Sequence, residues 1–125
     1  MVTKKSKDPI WLDAPEDHDY PAAASYLALT MGPKMVTKTV SALRKAKLSH
    51  FKAKDIFRAS GLSLLGVSNS HVEKDRKKLQ KGVFLSPLLL VRAPELGKVI
   101  VADGYHRLCA VYGVNEDALI PCQIV

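Results

Sequence analysis

Four side chains that bind phosphate groups or move protons lie around one glycine near the end of the chain. The five residues are Asp103, Gly104, Tyr105, His106 and Arg107, in the stretch VADGYHR. An ionised aspartate accepts hydrogen bonds and can take a hydroxyl proton, whereas arginine and protonated histidine donate charge-assisted hydrogen bonds to phosphate oxygens. The stretch therefore predicts a site that grips an anion or, with Asp103 and His106 as acid–base groups, acts on it.

The elements on either side make this stretch the turn between a strand and a helix. KVIVADG is an apolar, β-branched run, and the pattern after it predicts a helix from Tyr105 to Tyr112, ended by Gly113. The first N–H groups of a helix lack partners and lie at the positive end of its dipole, so they bind anions. The alternative is a capped helix, with Asp103 as the N-cap, His106 in the core and Arg107 in solvent.

The rest of the chain predicts an α+β fold in which helices come first and a small mixed β-sheet forms late. Residues 1–20 are expected to form an extended arm, frayed before about Asp8 and anchored by Trp11 and Leu12. Residues 21–125 are expected to form one domain, with a helical extension over 21–60 and a core over 61–125.

The hydrophobic periodicity predicts each element of that domain. Helices are expected from Pro21 to about Gly32, from Pro33 with Val36, Val40 and Leu43 as its buried stripe, over FKAKDIFRASG, and over SHVEKDRKKLQKG with Ser70 as N-cap. LSLLGVSN is irregular or a short strand, LSPLLLVR and KVIVADG form a hairpin, and LIPCQIV forms a final strand.

The charge balance predicts an anionic partner. The net charge is +7, and residues 34–58 contain eight lysines and arginines against Asp55 alone. A nucleotide or a nucleic acid fits this surface, while a solvated helix face explains it equally well. No long apolar run or secretory signal is present, so we expect no membrane span, a cytoplasmic protein and reduced thiols at Cys109 and Cys122. A homodimer is compatible with these features.

Four segments occur in a familiar order: HVEKDRKKLQKG, SPLLLV, VIVADGYHRLCAV and IPCQIV. On these segments, residues 69–125 resemble the ParB/sulfiredoxin-like superfamily, in which a helix leads into a strand pair, a glycine turn with a His-Arg or Arg-Arg pair, and a final Ile-Pro strand. The resemblance covers a little under half of the chain. It implies a nucleotide- or phosphate-binding domain of ParB/sulfiredoxin-like fold that acts as a phosphotransferase or NTPase.

Tyr105 separates this chain from two branches of that superfamily. Sulfiredoxins have a cysteine at this position and CTP-hydrolysing ParB proteins a glutamate, so neither sulfinic acid reduction nor CTP hydrolysis is implied. The free-serine kinases have the turn Asp-Gly-His-His-Arg, which Asp103, His106 and Arg107 match. Those kinases also use a glutamate near the entry to the preceding helix, whereas Glu73 lies inside that helix here.

In sulfiredoxin-like sites the helix before the strand pair also points residues at the nucleotide phosphates. Matching the helices places His71, Lys74 and Lys78 on that face, at i, i+3 and i+7, and Asn69 then hydrogen-bonds the base or caps the helix. The alternative is a solvated face. The implied ligand is ATP, ADP or CTP, accompanied by Mg²⁺. The complete implied binding site comprises Gly104, Tyr105, His106, Arg107, Asn69, His71, Lys74 and Lys78.

Two other functions stay open. SLLGVSNSHVEKDRKKLQKG imitates a helix-turn-helix, with Val72 where the recognition helix packs, which would make the protein a DNA- or RNA-binding protein, or a nuclease. Against this, Asp75 stands where such a helix needs an apolar residue, and the preceding helix would have to run through Gly61 and Ser63. The third function is that of a non-catalytic interaction module.

Overall fold

A four-stranded mixed sheet with helices on both faces forms the body of the molecule. The computed structural model of the chain describes residues 9–64 and 69–125. The elements are α1 (Asp19–Leu27), α2 (Pro33–Lys45), β1 (Ser49–Lys52), α3 (Ala53–Ser60), α4 (Ser70–Gln80), β2 (Leu88–Ala93), β3 (Lys98–Asp103), α5 (Tyr105–Val114) and β4 (Leu119–Ile124). This confirms the α+β class.

The strands lie in the order β1-β4-β2-β3. The β2–β3 and β1–β4 pairs are antiparallel, whereas β2 and β4 are parallel. Pro94–Leu96 forms a 3₁₀ turn between β2 and β3, so the predicted hairpin is confirmed. The hairpin places the start of β2 beside the end of β3, and this end of the sheet carries the Asp103–Arg107 turn.

Alternation along the strands divides the core into two layers. Leu88 and Leu90 of β2 pack with α3, α4 and α5, while Leu89 and Val91 pack with α1 and α2. Successive side chains of a strand point to opposite faces, and both faces of this central strand are covered, so β2 is apolar through Val91. Of the predicted stripe on α2, Leu43 is fully buried in the second layer, and Val36 and Val40 are partly buried against it.

The predicted helical extension contains a strand of the sheet. FKAKDIFRASG was expected to be helical from Phe51, but Ser49–Lys52 is β1 and α3 begins at Ala53. The prediction is wrong here because β1 is specified by pairing with β4, where Phe51 lies opposite Ile120, some 70 residues away in the chain. The end of α3 at Gly61, which has a φ of 68°, agrees with the prediction.

Three helix boundaries also differ from prediction. Helix α1 begins at Asp19, whose carboxylate accepts from the Glu16 N–H, and ends at Leu27, short of Gly32; after it the N–H groups of Leu29 and Thr30 bond carbonyls three residues back. Helix α5 continues through Gly113 to Val114, where the N–H of Asn115 bonds the carbonyl of Val111. The cap of α4 is Asn69, not Ser70.

The N-terminal arm packs on the body as expected. Trp11 pairs with Leu85 as an isolated parallel bridge, and the N–H of Leu12 bonds the Leu85 carbonyl at 2.8 Å. The predicted fraying before Asp8 and the middle of LSLLGVSN lie outside the described residues. Leu62–Leu64 have no regular secondary structure.

Candidate functional site

The turn between β3 and α5 requires glycine at position 104. Gly104 is the N-cap of α5 with a φ of 109°, in the left-handed region that side chains disfavour. A Cβ here would lie 2.7 Å from Leu88 Cγ and 2.8 Å from Arg107 Nη2. The backbone of the turn is therefore pressed against β2 and against the Arg107 guanidinium.

Arg107 is turned into the protein. Its Nη2 donates to Asp103 Oδ2 at 3.0 Å and to the Pro87 carbonyl at 3.4 Å, and its side chain is only 17% exposed. The buried Nε has no hydrogen-bond partner among the described residues. The sequence predicted a phosphate grip or a solvated side chain. The structure instead shows a guanidinium that pins the turn through an internal ion pair.

Asp103 faces a second buried carboxylate. Asp19 is 3% exposed and accepts hydrogen bonds from the Glu16 N–H and from the Ser86 hydroxyl. Burial raises the pKa of Asp103, the Arg107 guanidinium opposes that rise, and the Asp19 carboxylate adds to it. Asp103 is thus a better proton acceptor near neutral pH than an exposed aspartate. Sequence reasoning missed Asp19 and Ser86, because only the folded chain brings them to the turn.

A group of possible metal ligands lies beside Asp19. Ligand atoms of Glu16, His18 and Asp19 all fall within 4.8 Å of one another, and His18 Nε2 is 3.4 Å from Asp19 Oδ1. Carboxylate oxygens suit Mg²⁺, and the imidazole suits a transition metal. The close spacing in PEDHDY was a signal for this group in the sequence, although such spacing is common on exposed turns.

The N-terminal ends of α4 and α5 meet on the other side of the turn. The rings of His71 and His106 lie 4.8 Å apart at 36°. Asn69 Oδ1 accepts from the N–H groups of His71 and Val72, so α4 is capped. Among the described residues, no side chain caps α5. The two helices therefore present a histidine pair next to one capped and one uncapped helix N-terminus.

The environment of His106 favours its neutral form. Burial lowers the pKa of His106, the nearby imidazole of His71 lowers it further, Asp75 opposes the shift and Arg107 adds to it. Neutral imidazoles donate one hydrogen bond each, and an anion placed against both rings would draw protons onto them. The predicted neighbourhood of His71 and His106 is thus present in the structure.

The remaining predicted site residues are Tyr105, Lys74 and Lys78, and they differ in their partners. Tyr105 donates its hydroxyl to the Ser63 carbonyl, which ties the segment after α3 to α5. Lys74 is exposed, while Lys78 Nζ lies 3.8 Å from Asp75 Oδ1 and two helical turns from His71. Lys74 is therefore the lysine of α4 left without an ion pair near the histidines, among the residues that the structure describes.

Both cysteines are buried, and Cys122 is not an activated nucleophile. Cys109 and Cys122 are both free and buried, as expected for reduced thiols. Burial raises the pKa of Cys122 to about 12. A thiol that stays protonated at neutral pH does not react as a thiolate.

The helix-turn-helix proposed for SLLGVSNSHVEKDRKKLQKG needs a preceding helix that runs through Gly61 and Ser63. Helix α3 instead ends at Ser60, and Gly61 after it has a φ of 68°. Residues 65–68 of this stretch lie outside the described residues.

The basic segment 34–58 uses several of its cations internally. Lys54 and Arg58 form ion pairs with Asp117 and Asp55, and the Arg44 guanidinium stacks on Tyr20 at 4.1 Å. The exposed cations of the segment lie mostly on α2.

Comparisons with protein-family models, with curated proteins and with solved structures found no match. Across the described part of the chain, every helix is too short or too polar to cross a membrane.

Proposed function

We propose that the protein binds a phosphate group, as free anion or nucleotide, at the N-terminus of α5 between His106 and His71. The uncapped N-terminus of α5 beside the histidine pair carries this proposal. The free N–H groups and the helix dipole favour an anion, and the two imidazoles add donors that gain charge when it arrives. Lys74 and the net charge of +7 favour the same class of ligand.

The Asp103–Arg107 pair positions this site in the proposal. Arg107 holds the turn in place from below, which orients the first N–H groups of α5. If the protein is a phosphotransferase or an NTPase, Asp103 is the group that accepts a hydroxyl proton. We then expect Asp103→Asn to remove turnover, while nucleotide binding measured without Mg²⁺ stays within about threefold of wild type.

Mg²⁺ accompanying a nucleotide would be held by the carboxylate oxygens of Asp103 and Asp19, which are the hard ligands that this ion prefers. Bound there, the ion would neutralise phosphate charge. Mg²⁺ is therefore expected to tighten binding of ATP, ADP or CTP and to leave sulfate binding unchanged.

The test is an anion titration followed by NMR and by thermal unfolding. Sulfate, phosphate, ATP, ADP and CTP should shift the amide signals of Tyr105 and His106 and raise the Tm. His106→Asn should weaken binding about tenfold, since a hydrogen bond to a charged group contributes about 1.5 kcal/mol. His50→Asn, an exposed histidine on β1, is the matched control. Unchanged signals at millimolar ligand, or equal binding by both variants, would refute the proposal.

Sulfate also gives a test by pH. Because protonated imidazoles bind anions better, sulfate affinity should rise as the pH falls from about 8 to about 5.5, and His106→Asn should flatten that rise. Sulfate stays a dianion over this range, so the dependence belongs to the protein. An affinity independent of pH would count against the histidine pair.

A second candidate function is nucleic-acid binding by α2, favoured by its exposed Lys34, Lys38 and Lys45. Contacts to backbone phosphates release counter-ions, so affinity should fall steeply with salt. Lys38→Gln should reduce the slope of log K against log salt by about 1, and His106→Asn should leave it unchanged. Weak binding that does not respond to salt would exclude this function. If neither ligand binds, a cytoplasmic, non-catalytic interaction module, alone or as a homodimer, becomes the preferred function.

A further inference from the structure

An open groove lies at the opposite end of the sheet from the Asp103–Arg107 turn. Its volume is about 370 Å³, and Ile56, Leu90, Val99 and Ile124 contribute to its apolar lining. The groove lies between α3 and this end of the sheet: Ile56 and Ala59 of α3 line it, and Gly61 after α3 lies against the Lys98 side chain. A concave, mostly apolar lining with a few polar groups is the usual form of a small-molecule site.

Two cations stand at the mouth of this groove. Arg92 continues the alternation of Leu88 and Leu90 on β2, so its side chain lies on the uncovered face. Lys98 begins β3, and both residues are exposed. Among the described residues neither cation forms an ion pair. The one carboxylate in the lining, Asp55, is engaged by Arg58 at 2.9 Å.

We propose that this groove binds a small carboxylic acid with an apolar chain or ring, its carboxylate held by Arg92 and Lys98. The apolar floor contacts the chain or ring of the ligand, and the two unpaired cations bind its carboxylate. This site is separate from the phosphate site and does not depend on it.

The size of the groove favours a small molecule over a protein partner. Eleven residues line it, whereas a stable protein interface uses about 20–30 residues on each side. Its volume lies at the lower end of the range of small-molecule pockets, about 300–1,000 Å³. The 3₁₀ turn and α3 close it on two sides, since Pro94 and Ala59 both belong to the lining.

A chain-length series tests the apolar half of the proposal. Butanoate, hexanoate, octanoate and decanoate are titrated into the protein and followed by the methyl NMR signals of Leu90, Val99 and Ile124. Affinity should increase by up to about fourfold for each added methylene until the groove is full. Absent methyl shifts at millimolar octanoate, or an affinity independent of chain length, would overturn the proposal.

Octanol and octylamine test the charged half. Octanoate should bind about tenfold more tightly than octanol, and octylamine more weakly than both. Arg92→Gln and Lys98→Gln should each remove most of the preference for octanoate and leave octanol binding unchanged. Lys47→Gln makes the same charge change away from the groove and should bind like wild type. Equal binding of octanoate and octanol by the wild-type protein would overturn the proposal.

A groove-filling variant separates this site from unspecific binding. Ala59→Leu places a larger side chain against the groove and should weaken octanoate and octanol together, with the Tm showing that the variant is folded. Sulfate binding at the α5 N-terminus should be unchanged in this variant, so the two sites can fail independently. Undiminished octanoate binding by Ala59→Leu would place the ligand elsewhere and refute the assignment.

Discussion

An arginine lies at each end of the β2–β3 hairpin, and the two differ in exposure and in ion pairing. At one end Arg107 is 17% exposed, paired with Asp103 and pressed against Gly104. At the other end Arg92 is exposed, forms no ion pair within the described residues and stands over an apolar groove. The end with the motif therefore uses its arginine for structure, and the end without a motif leaves its arginine exposed at the groove.

The two ends also use glycine differently, which gives the largest expected effect. Gly104→Ala should lower the free energy of unfolding by about 3 kcal/mol. The new Cβ would lie 2.7 Å from Leu88 Cγ, and the backbone φ of 109° is strained for a residue with a side chain. Gly97→Ala should lower it by about 1 kcal/mol, since its φ is 63° but no atom lies within 4 Å of the added Cβ. Urea denaturation of both variants measures the difference. Equal losses would mean that the Asp103–Arg107 turn is not tightly packed.

The arginines themselves give the next effect. Arg107→Met should lower the free energy of unfolding by about 2 kcal/mol, because it leaves the Asp103 carboxylate buried without its cation. Arg92→Met should change it by less than about 0.5 kcal/mol, as expected for an exposed side chain without a partner.

A double variant isolates the ion pair. Adding Asp103→Asn to Arg107→Met should recover part of the loss, since the amide needs no counter-charge. A loss from Arg92→Met as large as that from Arg107→Met would break the contrast between the two ends of the hairpin.

The sequence predicted the elements whose pattern is local. The alternation in LSPLLLVR and KVIVADG, the stripe of Val36, Val40 and Leu43, and the strand at LIPCQIV all describe a face that each segment buries by itself. Strand β1 was missed because SHFK is short and mostly exposed, and only β4 gives it a partner. A pattern within one segment contains no information about a neighbour that arrives from elsewhere in the chain.

The candidate site shows the same division. The turn at Asp103–Gly104 and the helix after it were predicted from the local pattern. His71 was placed near His106 only by matching its helix to the corresponding helix of sulfiredoxin-like sites. The inward rotation of Arg107 does not follow from the local pattern alone. Its ion pair with Asp103 spans four residues, but the Pro87 carbonyl to which it also donates lies 20 residues away.

The smallest predicted effect is a pH dependence confined to one end of the hairpin. The folded state lowers the pKa of His106 below its usual 6.5, mainly through burial, so the unfolded chain takes up that proton first as the pH falls. Stability should therefore decrease on acidification through this range. Asp103 has the opposite sign, since its raised pKa makes the folded state take up its proton first.

Comparing variants separates these contributions. His106→Asn should lose the decrease in stability below neutral pH, while His50→Asn should retain it, as measured by urea denaturation from about pH 8 to about pH 5.5. No histidine lines the groove at the other end, so octanoate binding there should stay constant over the same range. A His106→Asn variant with the wild-type pH profile would show that the histidine pair is not the titrating group, and a pH-dependent groove would remove the distinction between the two ends.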